Sequence, residues 1–295
     1  MSDKKSVRGA MFLLLSAVVW SFSGVLSKGI QWSGFSKTGV RGIVAVLIYA
    51  ISRRTFRVKL TLGNVLGGLG VCVTCFLYMT ALNLTTSANA IVLQYSMPIF
   101  VVLISWLLFK QKPTMIDIGA VALVALGVVL CCMQGLSGGA FTGDMIALAS
   151  GLSYAVVFLA SKLPNTDAVS YTYLGNCFTV LFTISIFFDP GVHFVPTADI
   201  TGSMVFKEWL TMLLMGLSLG FGYLFFAYGI RETGPVTAAI LSNVEPVLNP
   251  VWVFLFYREN PGIYSIVGAL VVLVTVTVYT CVTAKHSPSA DEKAR

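Results

Sequence analysis

The stretches "LQYSMPIFVVLISWLLFKQKPT", Leu93 to Thr114, and "LSNVEPVLNPVWVFLFYRENPG", Leu241 to Gly262, align without a gap at an offset of 148. Leu93 falls on Leu241, Pro98 on Pro246, Phe109 on Tyr257, Lys110 on Arg258 and Pro113 on Pro261. Each is an apolar run interrupted by proline and closed by a short charged turn. A run of about 20 apolar residues crosses a hydrocarbon core of roughly 30 Å as helix, so the pair reads as one membrane-crossing unit used twice.

The rest of the chain agrees. Of its 295 residues, 57% are hydrophobic and 11% charged, and the mean hydropathy is +0.87, too few charges to coat a soluble globule. Ten spans are expected, at 9–29, 34–52, 62–82, 88–109, 114–133, 142–161, 169–188, 209–230, 236–257 and 262–283. The fold class is therefore an all-α integral membrane protein of ten transmembrane helices. Only turns remain between the spans, with a longer connection, a loop or short interfacial segment, expected from Asp189 to Lys207, so function belongs inside the membrane.

The first and sixth spans also match, Gly9–Lys28 against Gly143–Lys162 at an offset of 134. Trp20 meets Tyr154 and Ser16 meets Ser150. The chain thus divides into a first five-helix repeat, 1–137, and a second, 138–295. Five is odd, so the second is inverted relative to the first, the arrangement of alternating-access transporters.

Lys and Arg set the topology. Fourteen of them, from Lys4 and Lys5 through Arg53, Lys110 and Arg231 to Arg295, fall on the side of the N-terminus. Four, Lys28, Lys37, Lys207 and Arg258, fall on the other, and Arg41 lies within a span. Both termini are expected in the cytoplasm of a multi-pass plasma-membrane protein. The net charge of +7 follows from that topology and attraction to anionic lipid, not from nucleic-acid binding.

The proline in the fourth helix of each half (Pro98, Pro246), the charged exit turns and the two five-helix halves resemble the EamA-type transporters of the drug/metabolite transporter superfamily. The resemblance covers nearly the whole chain, with one departure: Glu259 stands at one exit turn and Gln111 at the other. It implies a central cavity lined by the first, third and fourth helices of each half, with the second and seventh peripheral. It also implies transport of small metabolites, often amino acids and often outward.

Ionisable groups deep in a membrane face a cavity or a partner. Helical spacing puts Ser242, Glu245, Asn249 and Trp252 on one stripe and turns Asn243 elsewhere. Glu245 is the candidate for cargo or proton binding, since its repeat partner is Met97 and the shared fold does not demand it. A structural reading competes: Pro246 frees the carbonyl of Ser242, and Glu245 could bond there. Arg41 falls at a similar depth, so a bridge to Glu245, snorkelling to the interface and bonding to backbone carbonyls are all open. Ser16, Trp20, Ser23 and Ser27 share a face that reads as helix packing or cavity lining. Tyr78, Gln94, Tyr95 and Tyr223 are further mid-membrane candidates, and the six cysteines read as apolar packers.

The expected function is secondary transport of a small metabolite, an amino acid or a relative of one, exported with or without protons. A choline-like cation held by an aromatic cage of Trp20, Tyr154 and neighbouring tyrosines with Glu245 is the alternative cargo. A channel or an intramembrane enzyme is the alternative class. "GLSGG" from Gly135 imitates G-x-S-x-G in a turn, but no base is placed to activate Ser137, and there is no nucleotide-binding loop. No cofactor, metal or enzymatic activity is expected. The partners are a small-molecule cargo, lipids and, as a candidate, protons.

Overall fold

In a computed structural model, the structure describes residues 2–53, 58–110, 112–160, 163–197, 199–233 and 241–286. Its helices in chain order are α1 (Ser2–Ser21), α2 (Ser23–Lys28), α3 (Gly34–Arg53), α4 (Leu62–Leu84), α5 (Ser87–Gln94), α6 (Met97–Phe109), α7 (Met115–Gly138), α8 (Phe141–Ala160), α9 (Ala168–Val180), α10 (Gly202–Thr233), α11 (Val244–Tyr257) and α12 (Ile263–His286). A 3₁₀ segment, Leu181–Phe187, extends α9. No strand occurs among the described residues. Among the described residues, eight spans are long and apolar enough to cross a membrane, and the apolar stretches Val244–Tyr257 and Ile263–Tyr279 are shorter. The start of the ninth expected span, 236–240, lies outside the described residues.

Two sequence expectations are corrected. The connection expected from Asp189 to Lys207 ends early, because α10 begins at Gly202. Thr201 caps it, its carbonyl accepting the N–H groups of Met204 and Val205 at 2.9 and 3.2 Å, so a glycine that signals a turn serves as a first helical residue. The stretch from Gly135 is the last turn of α7, and only Gly139, at φ 75°, leaves it; the side chain of Ser137 lies outside the described residues.

The prolines act where the repeat puts them. The break between α5 and α6 falls at Tyr95–Ser96 and the break before α11 at Asn243, which is the repeat partner of Tyr95. Pro98 and Pro246 lack the N–H that would continue the preceding ladder, so the helices restart at Met97 and Val244, just before their prolines. Both restarted helices end on a left-handed residue, Lys110 at φ 53° and Arg258 at φ 55°. These too are repeat partners.

Packing has the same exchange symmetry. α4 lies on α8 and α9, and α10, the counterpart of α4, lies on α1 and α3. α5 and α6 meet α8 as α11 meets α1, while α3 pairs with α9 and α7 with α12. Close approach rests on glycine at the helix crossings. A Cβ on Gly216 of α10 would sit 2.5 Å from the Val44 side chain, and one on Gly220 would sit 2.6 Å from Ile48. The outer flanks, such as Leu123, Leu126 and Val129 of α7, stay exposed and apolar, as lipid contact requires.

Candidate functional site

Mid-bundle, where α1, α4, α8 and α10 converge on the breaks before α6 and α11, a cavity of about 90 Å³ opens. A water needs roughly 10–15 Å³ of such space, so the cavity holds a handful of waters or a small solute. Trp20, Arg41, Tyr78, Gln94, Tyr95, Tyr154 and Glu245, all expected from the sequence, line it together with Tyr223. Ser23, Val71, Thr74, Cys75 and Leu219 complete the wall. Val71, Thr74 and Cys75 lie seven, four and three residues before Tyr78, one face of α4 that helical periodicity from Tyr78 would have reached. Cys75, read as a packer, belongs to that face.

Glu245 sits in the first turn of α11 and accepts a hydrogen bond from the Tyr95 hydroxyl at 2.9 Å. The same hydroxyl lies 3.4 Å from the carbonyl of Ser242, the group that Pro246 deprives of its helical donor. The hydroxyl has one proton, which goes to Glu245, so the Ser242 carbonyl is at most a weak second acceptor; the Glu245 carboxylate lines the cavity while it accepts from Tyr95. Tyr95 itself projects from the break in the other half, so the two breaks are joined across the cavity.

Arg41 is 4% exposed, which excludes snorkelling. Among the described residues it forms no ion pair with Glu245, and its Nε has no hydrogen-bond partner. The second helix is thus not peripheral: α3 wedges between α9 and α10 and brings a guanidinium to the cavity wall. Trp20 Nε1 and Thr74 Oγ1 are also buried without a partner. All three donors are closed off from the open space of the cavity in this conformation, Trp20 Nε1 by Gly222 of α10. Trp20 meets Tyr223 edge to face at 5.0 Å.

Four expected site residues lie off the wall, two of them, Asn249 and Trp252, because α11 crosses the α1–α2 bend and part of its polar stripe faces that bend instead. Asn249 is fully buried and spent on the fold: its Oδ1 accepts from Ser87 Oγ at 2.5 Å, and its Nδ2 donates to Tyr78 OH at 3.3 Å and Ser23 Oγ at 3.4 Å. Trp252 donates to Ser21 Oγ at 2.9 Å and stacks on Phe22 at 5.0 Å. Ser16 donates to the carbonyl of Gly222 at 2.8 Å, a helix-packing contact. Ser242 contributes its carbonyl to Tyr95 and does not line the cavity. Asn243 points elsewhere, as spacing requires, donating to Thr277 Oγ1 at 2.9 Å.

One end of the bundle, where α2 stops and α5 begins, is tied by charge. Lys28 pairs with Glu259 at 2.9 Å and donates to the carbonyl of Thr85 at 3.1 Å. Glu259 also accepts from the Ser87 N–H at 2.6 Å. Lys37, assigned to a polar side of the membrane by sequence, is fully buried nearby, its Nζ held by Ser27 O at 2.8 Å, Ser27 Oγ at 3.1 Å and Asn83 Oδ1 at 2.6 Å. At the opposite end Arg8 pairs with Glu232.

Comparison with known proteins places the chain in a family. The EamA-like transporter family covers residues 7–133 and again residues 141–281. The chain belongs to that family.

Similar proteins include an uncharacterized transporter of Clostridium kluyveri, 23% identical over 294 residues that cover 90% of this chain and 91% of that one. Human "Solute carrier family 35 member G1" is 26% identical over 295 residues, 90% of this chain and 76% of that one. An Arabidopsis thaliana protein named "Nucleotide-sugar uncharacterized transporter 2" is 27% identical over 188 residues, 61% of this chain and 45% of that one. One solved crystal structure superposes with a TM-score of 0.59 over 95% of this chain and 99% of that chain at 18% identity, a likeness of fold. The protein is a multi-pass, all-helical membrane protein of a transporter family.

Proposed function

We propose that this EamA-family protein is a secondary transporter of a small zwitterionic metabolite, an amino acid or a close relative, exported across the plasma membrane by alternating access with both termini in the cytoplasm. The observation that carries the reading is one cavity lined by a carboxylate, Glu245, and a guanidinium, Arg41, that do not bridge each other. An amino acid offers a cation and an anion to just such a pair, and a planar guanidinium suits a carboxylate. The small cavity volume supports a small cargo over a nucleotide sugar.

The two halves, 1–137 and 138–295, act in this proposal as inverted repeats that rock about the breaks near Pro98 and Pro246. Glu245 binds the ammonium of the cargo or, when the cargo leaves, a proton. A second reading is favoured by the five aromatic rings of the wall, Trp20, Tyr78, Tyr95, Tyr154 and Tyr223: a choline-like cation in an aromatic cage. Arg41 in the same cavity repels such a cargo.

A thermal-shift screen of the purified protein against amino acids and quaternary amines identifies the cargo, because a ligand bound to the folded state raises its melting temperature. Flux of that cargo in proteoliposomes then tests the site. Glu245→Gln and Arg41→Gln are each expected to lower kcat/KM about 10- to 100-fold, the effect of about 1.5–3 kcal/mol for a hydrogen bond to a charged group. Unchanged saturable flux in both variants refutes the site, and loss in Glu245→Gln alone with binding of amines selects the cage.

A further inference from the structure

Away from the cavity, at the end of the bundle tied by Lys28 and Glu259, a second carboxyl group is sealed among α4, α5, α7 and α8. Asp144, in the first turn of α8, is fully buried. Its Oδ1 accepts from Thr85 Oγ1 at 2.5 Å and from Asn89 Nδ2 at 3.0 Å. Its Oδ2 has no partner. Asn89 is 1% exposed; its Nδ2 also donates to the carbonyl of Cys131 at 3.1 Å, while its own Oδ1 has no partner either.

Two lone acceptors therefore belong to two groups that are already hydrogen-bonded to each other. An ionised, sealed carboxylate with one oxygen bare would bear the full cost of desolvation, several kcal/mol or more. One change resolves the arrangement: a proton on Asp144 Oδ2 removes the buried charge and turns a lone acceptor into a donor. The other groups facing Asp144 are the Cys131 and Cys132 thiols of α7, and α6, which also packs on α8, carries no titratable side chain. A cation, Lys28, is reached through Thr85, which gives its hydroxyl to Asp144 and its carbonyl to Lys28 Nζ.

We propose that Asp144, with Asn89 and Thr85, is a proton-binding site distinct from the central cavity, and that it holds its proton in this conformation. Thr85 couples it to the Lys28–Glu259 pair. Once Asp144 ionises, its charge competes with Glu259 for Lys28, and the tie that closes this end of the bundle weakens. Opening at this end and proton release then favour each other, which links a proton to the transport cycle. The site does not depend on the role of Glu245.

Infrared spectroscopy of the purified protein in potassium buffer at neutral pH tests this without knowledge of the cargo. The expected result is a protonated-carboxyl carbonyl band that shifts when the protein is labelled with [4-¹³C]aspartate, disappears in Asp144→Asn and persists in Glu245→Gln. The labelling experiment uses the unsubstituted protein, so it stands even where Asp144→Asn fails to fold. A carbonyl band indifferent to aspartate labelling, or a labelled band that persists in a folded Asp144→Asn, means that Asp144 is ionised and overturns the proposal. Loss of the labelled band on exchanging potassium for sodium also overturns it, by placing a sodium ion where the proton is proposed.

Discussion

Tyr95→Phe removes one oxygen and no packing volume, so it isolates the bond that joins the two helix breaks. That oxygen lies 2.9 Å from Glu245 Oε2 and 3.4 Å from the Ser242 carbonyl. Side-chain hydrogen bonds inside membrane proteins average about 0.6 kcal/mol and reach about 1.7. A bond to a carboxyl group in a half-buried site belongs in the upper part of that range, so a coupling of about 1 kcal/mol is expected, about fivefold in an equilibrium constant. The assay is a double-mutant cycle of Tyr95→Phe and Glu245→Ala, read by denaturant unfolding in mixed micelles. Alanine is used because glutamine would still accept the bond. Tyr95→Phe is expected to destabilise the protein measurably when Glu245 is present and far less when it is absent. Effects that add to within about 0.3 kcal/mol refute the claim that Tyr95 and Glu245 form one unit.

Two further outcomes follow from the geometry. Gly216→Ala should cost about 1–3 kcal/mol by driving α10 off α3, whereas Gly119→Ala, with nothing within 4 Å of the added carbon, should be neutral or slightly stabilising; equal melting temperatures refute the close-crossing account of the α10–α3 contact. Asp189 lies in the connection after α9, where partial burial opposes its charge, but hydrogen bonds from Ser36, the N–H and hydroxyl of Ser33 and the Gly191 N–H outweigh burial and hold its pKa below the usual carboxylate value. A lowered folded pKa means that this stabilisation is present above the ordinary value of about 4 and lost as pH falls through the folded pKa. Thermal melting followed down to acid pH should therefore show a decline that Asp189→Asn reduces, and parallel curves refute it.

Much of the architecture was legible because hydrophobic length and repetition are properties of the chain alone. The match of Leu93–Thr114 with Leu241–Gly262 fixed the proline positions, and with them the two breaks, since a missing N–H acts wherever the chain goes. It also paired Lys110 with Arg258, which adopt the same left-handed conformation. Glycine was a weaker guide: Gly202 opens a helix because Thr201 caps it, a local bond that composition does not reveal. Charge was weaker still, as Lys37 shows. Its ammonium is matched by oxygens from α2 and α4, and no rule confined to α3 could supply them.

By itself, then, the sequence determined that the chain is a membrane-embedded helical repeat, and that Glu245 needs a reason the repeat does not provide. Only the tertiary structure decided which polar groups face the cavity and which serve the fold. Asn249 and Glu245 share a stripe on one helix, yet Asn249 is consumed by Ser87, Tyr78 and Ser23 while Glu245 keeps a cavity face. Helical spacing assigns a direction around one axis. Whether that direction meets a gap or a neighbour depends on how α11 crosses the bend of α1, and that crossing is set by packing among helices far apart in the chain.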